Sequence, residues 1–233
     1  MRLLAWNIRQ GGGKRLPAIA AALAGHDADV VVLSEYRGGA SAERLREALS
    51  GLGYCHLSAA LPPPGRNGVV IAARRDFVEH GSIDDGLPEP YRLVRIDLPG
   101  LRLCGVYMPN LLAKVPYWRA LIASLAAESL LGETLVIGDF NTCRAYVDEP
   151  GAIDAAAHFM DEIEAVGFCD LWRRRYPEGR EFSWYSTRGN GFRIDHAFFS
   201  AALSARARTI RYSHDERVAG ISDHSPMIVD LDE

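Results

Sequence analysis

The chain has 233 residues, 48% of them hydrophobic, and a formal net charge of −4. A chain of this length can bury a large core, and residues 1–233 are expected to form a single catalytic domain. The charge argues against a protein that coats nucleic acid through bulk electrostatics, and no apolar run approaches the roughly 18 residues of a membrane-spanning helix.

Taken in order, Leu3-Leu4-Ala5-Trp6-Asn7 reads as an apolar strand that ends in an amide. The segment before Asn7 and Arg9 is too short for a signal-peptide core, so a cytoplasmic location is the default expectation. Residues 16–26 follow a helical repeat, with Pro17 in the first turn and Gly25 near the end. Val30-Val31-Val32-Leu33-Ser34-Glu35 is a second strand, ending in an acid, and Ser41 is expected to cap a helix through Leu49. Strands are expected near residues 54–57 and 69–72. Residues 92–97 and 101–107 flank Leu98-Pro99-Gly100, whose Pro-Gly pair predicts a turn between antiparallel strands.

A helix is expected over residues 115–131, with Pro116 in its first turn. It precedes Thr134-Leu135-Val136-Ile137-Gly138-Asp139-Phe140-Asn141, an apolar strand that runs into an acid and an amide. A further helix is expected over 152–166, and strands near 182–185, 209–212 and 227–231. Arg193-Ile194-Asp195-His196 reads as another strand end, and Ile221-Ser222-Asp223-His224 stands before the last strand. Residues 61–65, 84–90, 148–151 and 177–180 are expected surface loops. Two mostly antiparallel mixed sheets of five or six strands, packed face to face with helices outside, accommodate this count: a four-layered α/β sandwich. Cys55, Cys104, Cys143 and Cys169 form no Cys-x-x-Cys pair, so free and mostly buried thiols are expected rather than a zinc or redox motif.

Two amides, four acids and a histidine thus stand at element ends, which suits metal-assisted hydrolysis of a phosphoester. That reaction needs an activated water, neutralised phosphoryl oxygens and help for the departing alkoxide. A hard cation such as Mg²⁺ takes oxygen ligands and often only one or two carboxylates, a task that suits Glu35 and Asn7. Asp139 is placed to accept a proton from water, and Asn141, two residues on, to bond phosphate. A protonated His224, oriented by a buried acid such as Asp195, would put positive charge beside the developing oxyanion, and a tyrosine hydroxyl would protonate the leaving group. His26, His56, His80, His158 and His214 read as surface or packing residues, and His196 as a strand residue supporting Asp195.

Trp6-Asn7-Ile8, Ser34-Glu35, Gly138-Asp139-Phe140-Asn141, Arg193-Ile194-Asp195 and Ser222-Asp223-His224 occur in one order over nearly the whole chain. In this the chain resembles the endonuclease/exonuclease/phosphatase superfamily. The resemblance implies that Glu35 is the principal metal ligand, with Asn7 its companion and Asp223 the acid near the metal. It implies Mg²⁺ as cofactor, with Mn²⁺ able to substitute. Asp139 would position or deprotonate water, Asn141 would contact phosphate, and Asp195 would partner His224.

Val106-Tyr107-Met108-Pro109-Asn110 is similar to the exonuclease III and abasic-site endonuclease branch, where Tyr107 and Asn110 would act on or hold the substrate. Phe182-Ser183-Trp184-Tyr185 and Gly191-Phe192-Arg193-Ile194 resemble the aromatic segment of those repair enzymes, which implies that Trp184, Phe192 and Ile194 wall a pocket for a flipped-out abasic sugar. Arg9 departs from the acid or amide of many relatives and would meet substrate phosphate instead. The segment after Asn141 also lacks the histidine- or asparagine-rich continuation of those relatives.

Three readings follow. The favoured one is a Mg²⁺-dependent nuclease acting on DNA, with no protein partner indicated. The second is a hydrolase of a small or lipid-linked phosphoester. The third is a catalytically silent binding module, disfavoured because every expected catalytic position carries a competent side chain. Between Trp172 and Arg193, six arginines face two glutamates. They form either a phosphate-facing loop or a solvated face.

Overall fold

The computed structural model describes residues 1–58, 60–128, 132–151 and 154–232. Strand β1 (Arg2–Asn7) leads through helix α1 (Leu16–His26) to β2 (Val30–Arg37), and α2 (Ala40–Gly51) to β3 (His56–Leu57) and β4 (Asn67–Ala73). Next come β5 (Val78–Ser82), β6 (Leu93–Leu98), β7 (Leu101–Tyr107), α3 (Val115–Glu128), β8 (Thr134–Asp139), α4 (His158–Ala165) and β9 (Phe168–Asp170). The chain closes with α5 (Leu171–Arg175), β10 (Trp184–Tyr185), β11 (Gly191–Phe192), β12 (Asp195–Ser200), α6 (Ala201–Ser204), β13 (Ala207–Tyr212), α7 (Asp215–Val218) and β14 (Met227–Leu231).

Two six-stranded sheets form, in the orders β13-β14-β1-β2-β4-β3 and β5-β6-β7-β8-β12-β9, and β10 and β11 make a separate ribbon. Alternate residues of each strand serve two different layers. Leu3, Val30, Val32 and Ile71 meet Ile96, Leu103, Leu135 and Ile137 between the sheets. Leu4, Val31, Leu33 and Val70 bury Ile19 and Leu23 of α1 and Leu45 and Leu49 of α2 on one outside. Cys104, Val106, Val136 and Phe198 bury Trp118 and Leu121 of α3 and Phe159 and Ile163 of α4 on the other. This is the expected four-layered α/β sandwich. No described helix is long and apolar enough to cross a membrane.

Each sheet holds one parallel pair, β1 with β2 and β7 with β8, and these pairs place the polar strand ends together. Asn7 lies opposite Ser34, and Tyr107 opposite Asp139. The antiparallel β12 brings Asp195 opposite Asp139. Asp195 therefore opens a strand instead of closing one, as its preceding residues had implied; in an antiparallel neighbour, a strand's start lies beside its partner's end.

Several boundaries differ from expectation. Helix α1 is an exception: it spans the expected residues 16–26 with Gly25 in its last turn, and Asp27 closes it at a left-handed φ of 49°, donating its N–H to Leu23. Helix α2 begins after Gly39, at φ 85°, with no side-chain cap, and Ser41 lies inside its first turn. The expected ends at 129–131 and 152–153 lie outside the described residues. Helix α4 starts only at His158, because the Asp154 carboxylate accepts the Ala156 N–H at 2.9 Å and sets a turn ahead of it. The Pro99-Gly100 turn forms as expected, with Gly100 at φ 75°. Cys104 and Cys143 are buried, Cys169 is half-buried and Cys55 exposed, and all four are free thiols.

The arginine-rich segment divides in two. Arg174, Arg175, Arg180 and Arg188 are exposed, whereas Arg193 is fully buried. Arg193 donates through Nε to Asp148 at 2.8 Å and forks onto Asp170 at 3.1 and 2.6 Å. Arg173 also bonds Asp148, at 2.9 Å. Residues 148–151 are consequently no simple surface loop, since Asp148 and Glu149 are buried. Burial raises the Asp148 and Asp170 carboxyl pKa values, and Arg193 more than offsets it, so both lie below the usual carboxylate range.

Groups depressed on folding add stability above their unfolded pKa, near 4, and lose it as pH falls through their folded values. Arg193→Met leaves two buried carboxylates without their main partner and is expected to cost about 3–5 kcal/mol at neutral pH. Because those carboxyls then protonate readily, its urea midpoint is expected to fall less than that of the wild type between pH 7 and 4. An unchanged midpoint at pH 7 would refute this account.

Candidate active site

The strand ends open into a cavity of about 600 Å³ lined by Asn7, Glu35, Tyr107, Asn110, Asp139, Asn141, Trp184, Phe192, Ile194, Asp223 and His224. Two of the expected site residues stand outside this lining. Asp195 lies behind His224, and Arg9 stands beside the rim with Nε 3.9 Å from Asp223.

Asp139 is buried because Gly138 lets the chain pass close beneath it. Gly138 has φ 146°, and a Cβ there would fall 2.1 Å from the Val106 carbonyl oxygen. The Asp139 carboxylate accepts the Asn7 side-chain amide at 2.9 Å and the Asn141 backbone N–H at 2.9 Å. Burial, with Asp195 alongside, raises its pKa to about 7 despite those donors and His224. Asn141 sits at φ 47°, a region asparagine tolerates. Its side-chain amide donates to Met108 at 2.9 Å and leans on Asp139 at 3.4 Å, so in this state it orients Asp139.

His224 hangs between the sheets on three attachments. Its carbonyl accepts the Trp6 indole N–H at 2.9 Å, Ser222 bonds the Asn7 carbonyl at 2.6 Å, and its Nδ1 meets Asp195 at 2.8 Å. Tyr212 fixes Asp195 in turn by donating to its carbonyl at 2.6 Å. Burial opposes the imidazolium, but the charge and hydrogen bond of Asp195 outweigh it and raise the His224 pKa to about 9. His196 points to the opposite face, where its Nε2 lies 2.8 Å from the Thr142 carbonyl, so it does not support the Asp195 carboxylate.

Tyr107 is buried under Arg92, whose guanidinium lies 4.5 Å from the ring centre. Burial, Glu35 and Asp139 raise its hydroxyl pKa to about 12, so it is a neutral donor. Trp184 and Phe192 pair across the β10–β11 ribbon, ring centres 5.6 Å apart, and Trp184 bridges to His224. The aromatic pair therefore adjoins His224.

Among the described residues, two sets of side chains around the cavity are of metal-binding type. Asp139, Asp195 and His224 bring ligand atoms within 4.8 Å of one another. Asp195 is bonded to His224 Nδ1 and Asp139 to the amides of Asn7 and Asn141, and an imidazolium offers no lone pair. Asn7, Glu35 and Asp223 form an all-oxygen set on the same cavity. Asp223 Oδ1 is buried without a hydrogen-bond partner, an unmet demand of the kind a cation would satisfy. Glu35 is the bulged residue of β2, at φ 56°, and its carboxylate accepts from Asn7 at 3.2 Å, Gln10 N–H at 2.7 Å and Asn67 at 3.1 Å. The donor chemistry fits a hard divalent cation.

Sequence reasoning missed Lys114, Asp154 and Asn67. Lys114 is buried in the cavity wall and donates to the Asn141 carbonyl and, at 3.0 Å, to Asp154. None of the three belongs to a motif; only tertiary folding brings them to the site.

A family model described as the endonuclease/exonuclease/phosphatase family matches residues 4–224. Sequence comparison with curated proteins returned no match. Among solved structures, the chain is similar to an AP endonuclease from Archaeoglobus fulgidus, at TM-score 0.87 and 20% identity over 100% of both chains. It is also similar to a 3′-5′ exonuclease from Neisseria meningitidis, at TM-score 0.88 and 25% identity, again over 100% of both. An AP endonuclease from Leishmania major aligns at TM-score 0.81 and 18% identity, over 100% of this chain and 87% of that one. Matched along nearly its whole length by that model, and carrying its polar residues on the converging ends of two packed sheets, the chain belongs to the endonuclease/exonuclease/phosphatase family.

Proposed function

We propose that the protein is a Mg²⁺-dependent DNA phosphodiesterase of the abasic-site-repair kind, with Mn²⁺ able to substitute. The observation that carries this reading is that an all-oxygen set, an acid–base pair and an aromatic wall meet in one cavity. The names of its structural neighbours, AP endonucleases and a 3′-5′ exonuclease, support DNA as the substrate.

Asn7, Glu35 and Asp223 would hold the cation. When bound, it supplies charge neutralisation at the phosphoryl oxygens. Asp139, as carboxylate, takes the proton of the attacking water, and Asn141 keeps it aimed. His224, as imidazolium with Nδ1 held by Asp195, presents Nε2 to the oxyanion. Tyr107 offers a neutral hydroxyl to the leaving side and Asn110 an amide to substrate, while Arg9, at the rim, reaches a flanking phosphate.

Trp184, Phe192 and Ile194 accept a bare deoxyribose and refuse a sugar that carries its base. Opening this wall with Trp184→Ala is expected to narrow the abasic-over-undamaged preference by about 10- to 200-fold, the range one apolar contact sets. The measurement is kcat/KM on matched duplexes with and without one abasic site. An unchanged ratio assigns recognition elsewhere, and turnover of only a small phosphodiester by the wild type rejects DNA as substrate.

A further inference from the structure

The chain from Arg9 to Gly13 has positive φ at five successive residues: 53°, 52°, 68°, 76° and 53°. L-residues avoid this region, yet Arg9 and Gln10 enter it alongside three glycines. The result is that three consecutive backbone N–H groups turn toward the same pair of residues. Arg9 N–H bonds Asn7 Oδ1 at 2.9 Å, Gln10 N–H bonds Glu35 Oε2 at 2.7 Å, and Gly11 N–H bonds the Glu35 carbonyl at 2.8 Å. Glu35 is itself at φ 56° on a β-bulge, so both partners of this contact depart from regular strand geometry.

The turn is locked from outside. Arg15 donates to the Arg9 carbonyl and to the Ile221 carbonyl, each at 2.5 Å, which joins it to the segment carrying Asp223. Gly11 is buried, and a Cβ on it would lie 2.9 Å from Arg37 Cβ and 3.1 Å from Ser41 Cβ. These contacts are with the stems of side chains close to the backbone, which do not swing away.

We infer that residues 9–13 are a backbone clamp that presets the Asn7 amide and the Glu35 carboxylate for the divalent cation, with Gly11 and Arg15 as positioning residues. This rests on the metal assignment made above. The clamp explains why a strained run persists beside the site: the turn costs conformational freedom, and in return the ligands need not be ordered when the cation arrives. It also gives Arg15 a role opposite to its charge. A guanidinium near Glu35 and Asp223 repels a cation, so its removal by charge alone would tighten binding.

The test is Mn²⁺ binding, read as free Mn²⁺ by electron paramagnetic resonance, for the wild type, Gly11→Ala and Arg15→Met. Gly11→Ala is expected to weaken binding by about 10- to 100-fold, the usual effect of losing a ligand's supporting partner. Arg15→Met, which forces no backbone strain, is expected to weaken it in the same direction, and it decides the matter if Gly11→Ala does not fold. Wild-type affinity in Gly11→Ala, or tighter binding in Arg15→Met, overturns the clamp while leaving the metal assignment intact. No Mn²⁺ binding by the wild type removes the metal assignment, and the clamp with it.

Discussion

Asp139→Asn is expected to lower the rate of phosphodiester hydrolysis by about 10²- to 10⁴-fold without lowering the melting temperature. The amide keeps an oxygen for the Asn141 N–H but has no basicity to take a proton. Stability carries two opposing effects. Burial raises the Asp139 pKa to about 7, so between the unfolded value near 4 and that point the folded state binds the extra proton, and stability falls as pH rises. An uncharged side chain escapes this penalty, which offsets the loss of the acceptor for the Asn7 amide, so at pH 8 the variant should melt near the wild-type temperature. Single-turnover kinetics and a thermal melt on the same sample measure both. Full activity would remove Asp139 from the base role, and a collapsed fold would make it structural.

His224→Ala is expected to cost about 10²- to 10³-fold in kcat, the effect of removing one preorganised donor to an oxyanion. Asp195→Asn provides the sharper diagnosis. With Asp195 the imidazole stays protonated up to about 9, so loss of its proton sets the alkaline limb of the pH–rate profile. Loss of the Asp195 charge removes the main opposition to burial and leaves only Asp139 and Asp223 against it, so the His224 pKa falls and the alkaline limb of the pH–rate profile moves to lower pH. If the limb stays in place in Asp195→Asn, it belongs to another group.

The site was legible in the sequence because its chemistry interrupts apolar strands. A carboxylate after Thr134-Leu135-Val136-Ile137-Gly138, or an amide after Leu3-Leu4-Ala5-Trp6, breaks a pattern that burial alone would continue. The parallel pairing of β1 with β2 and of β7 with β8 then carries those interruptions to one end of the sandwich. Asp195 was legible as a residue but misplaced along its strand, since direction depends on which neighbour it pairs with.

What remained hidden depends on contacts between distant residues. Charge counting could not separate Arg193, buried between Asp148 and Asp170, from the exposed arginines around it. Lys114 looks like any lysine at the end of a short apolar run, and only the fold carries it beneath Asn141. Gly39, not Ser41, starts α2 because a positive φ of 85° precedes the helix, a conformational demand that outranked the side-chain cap.

Strand scission of a duplex bearing one abasic site, measured after chelation, after Mg²⁺ is restored, and with Asp139→Asn beside the wild type, tests metal-dependent hydrolysis of abasic DNA by this site. No cleavage is expected in chelator, with full recovery in Mg²⁺, cleavage confined to the abasic strand, and about 10²- to 10⁴-fold slower cleavage by the variant. Cleavage that persists in chelator, or that proceeds equally well in Asp139→Asn, would contradict that assignment.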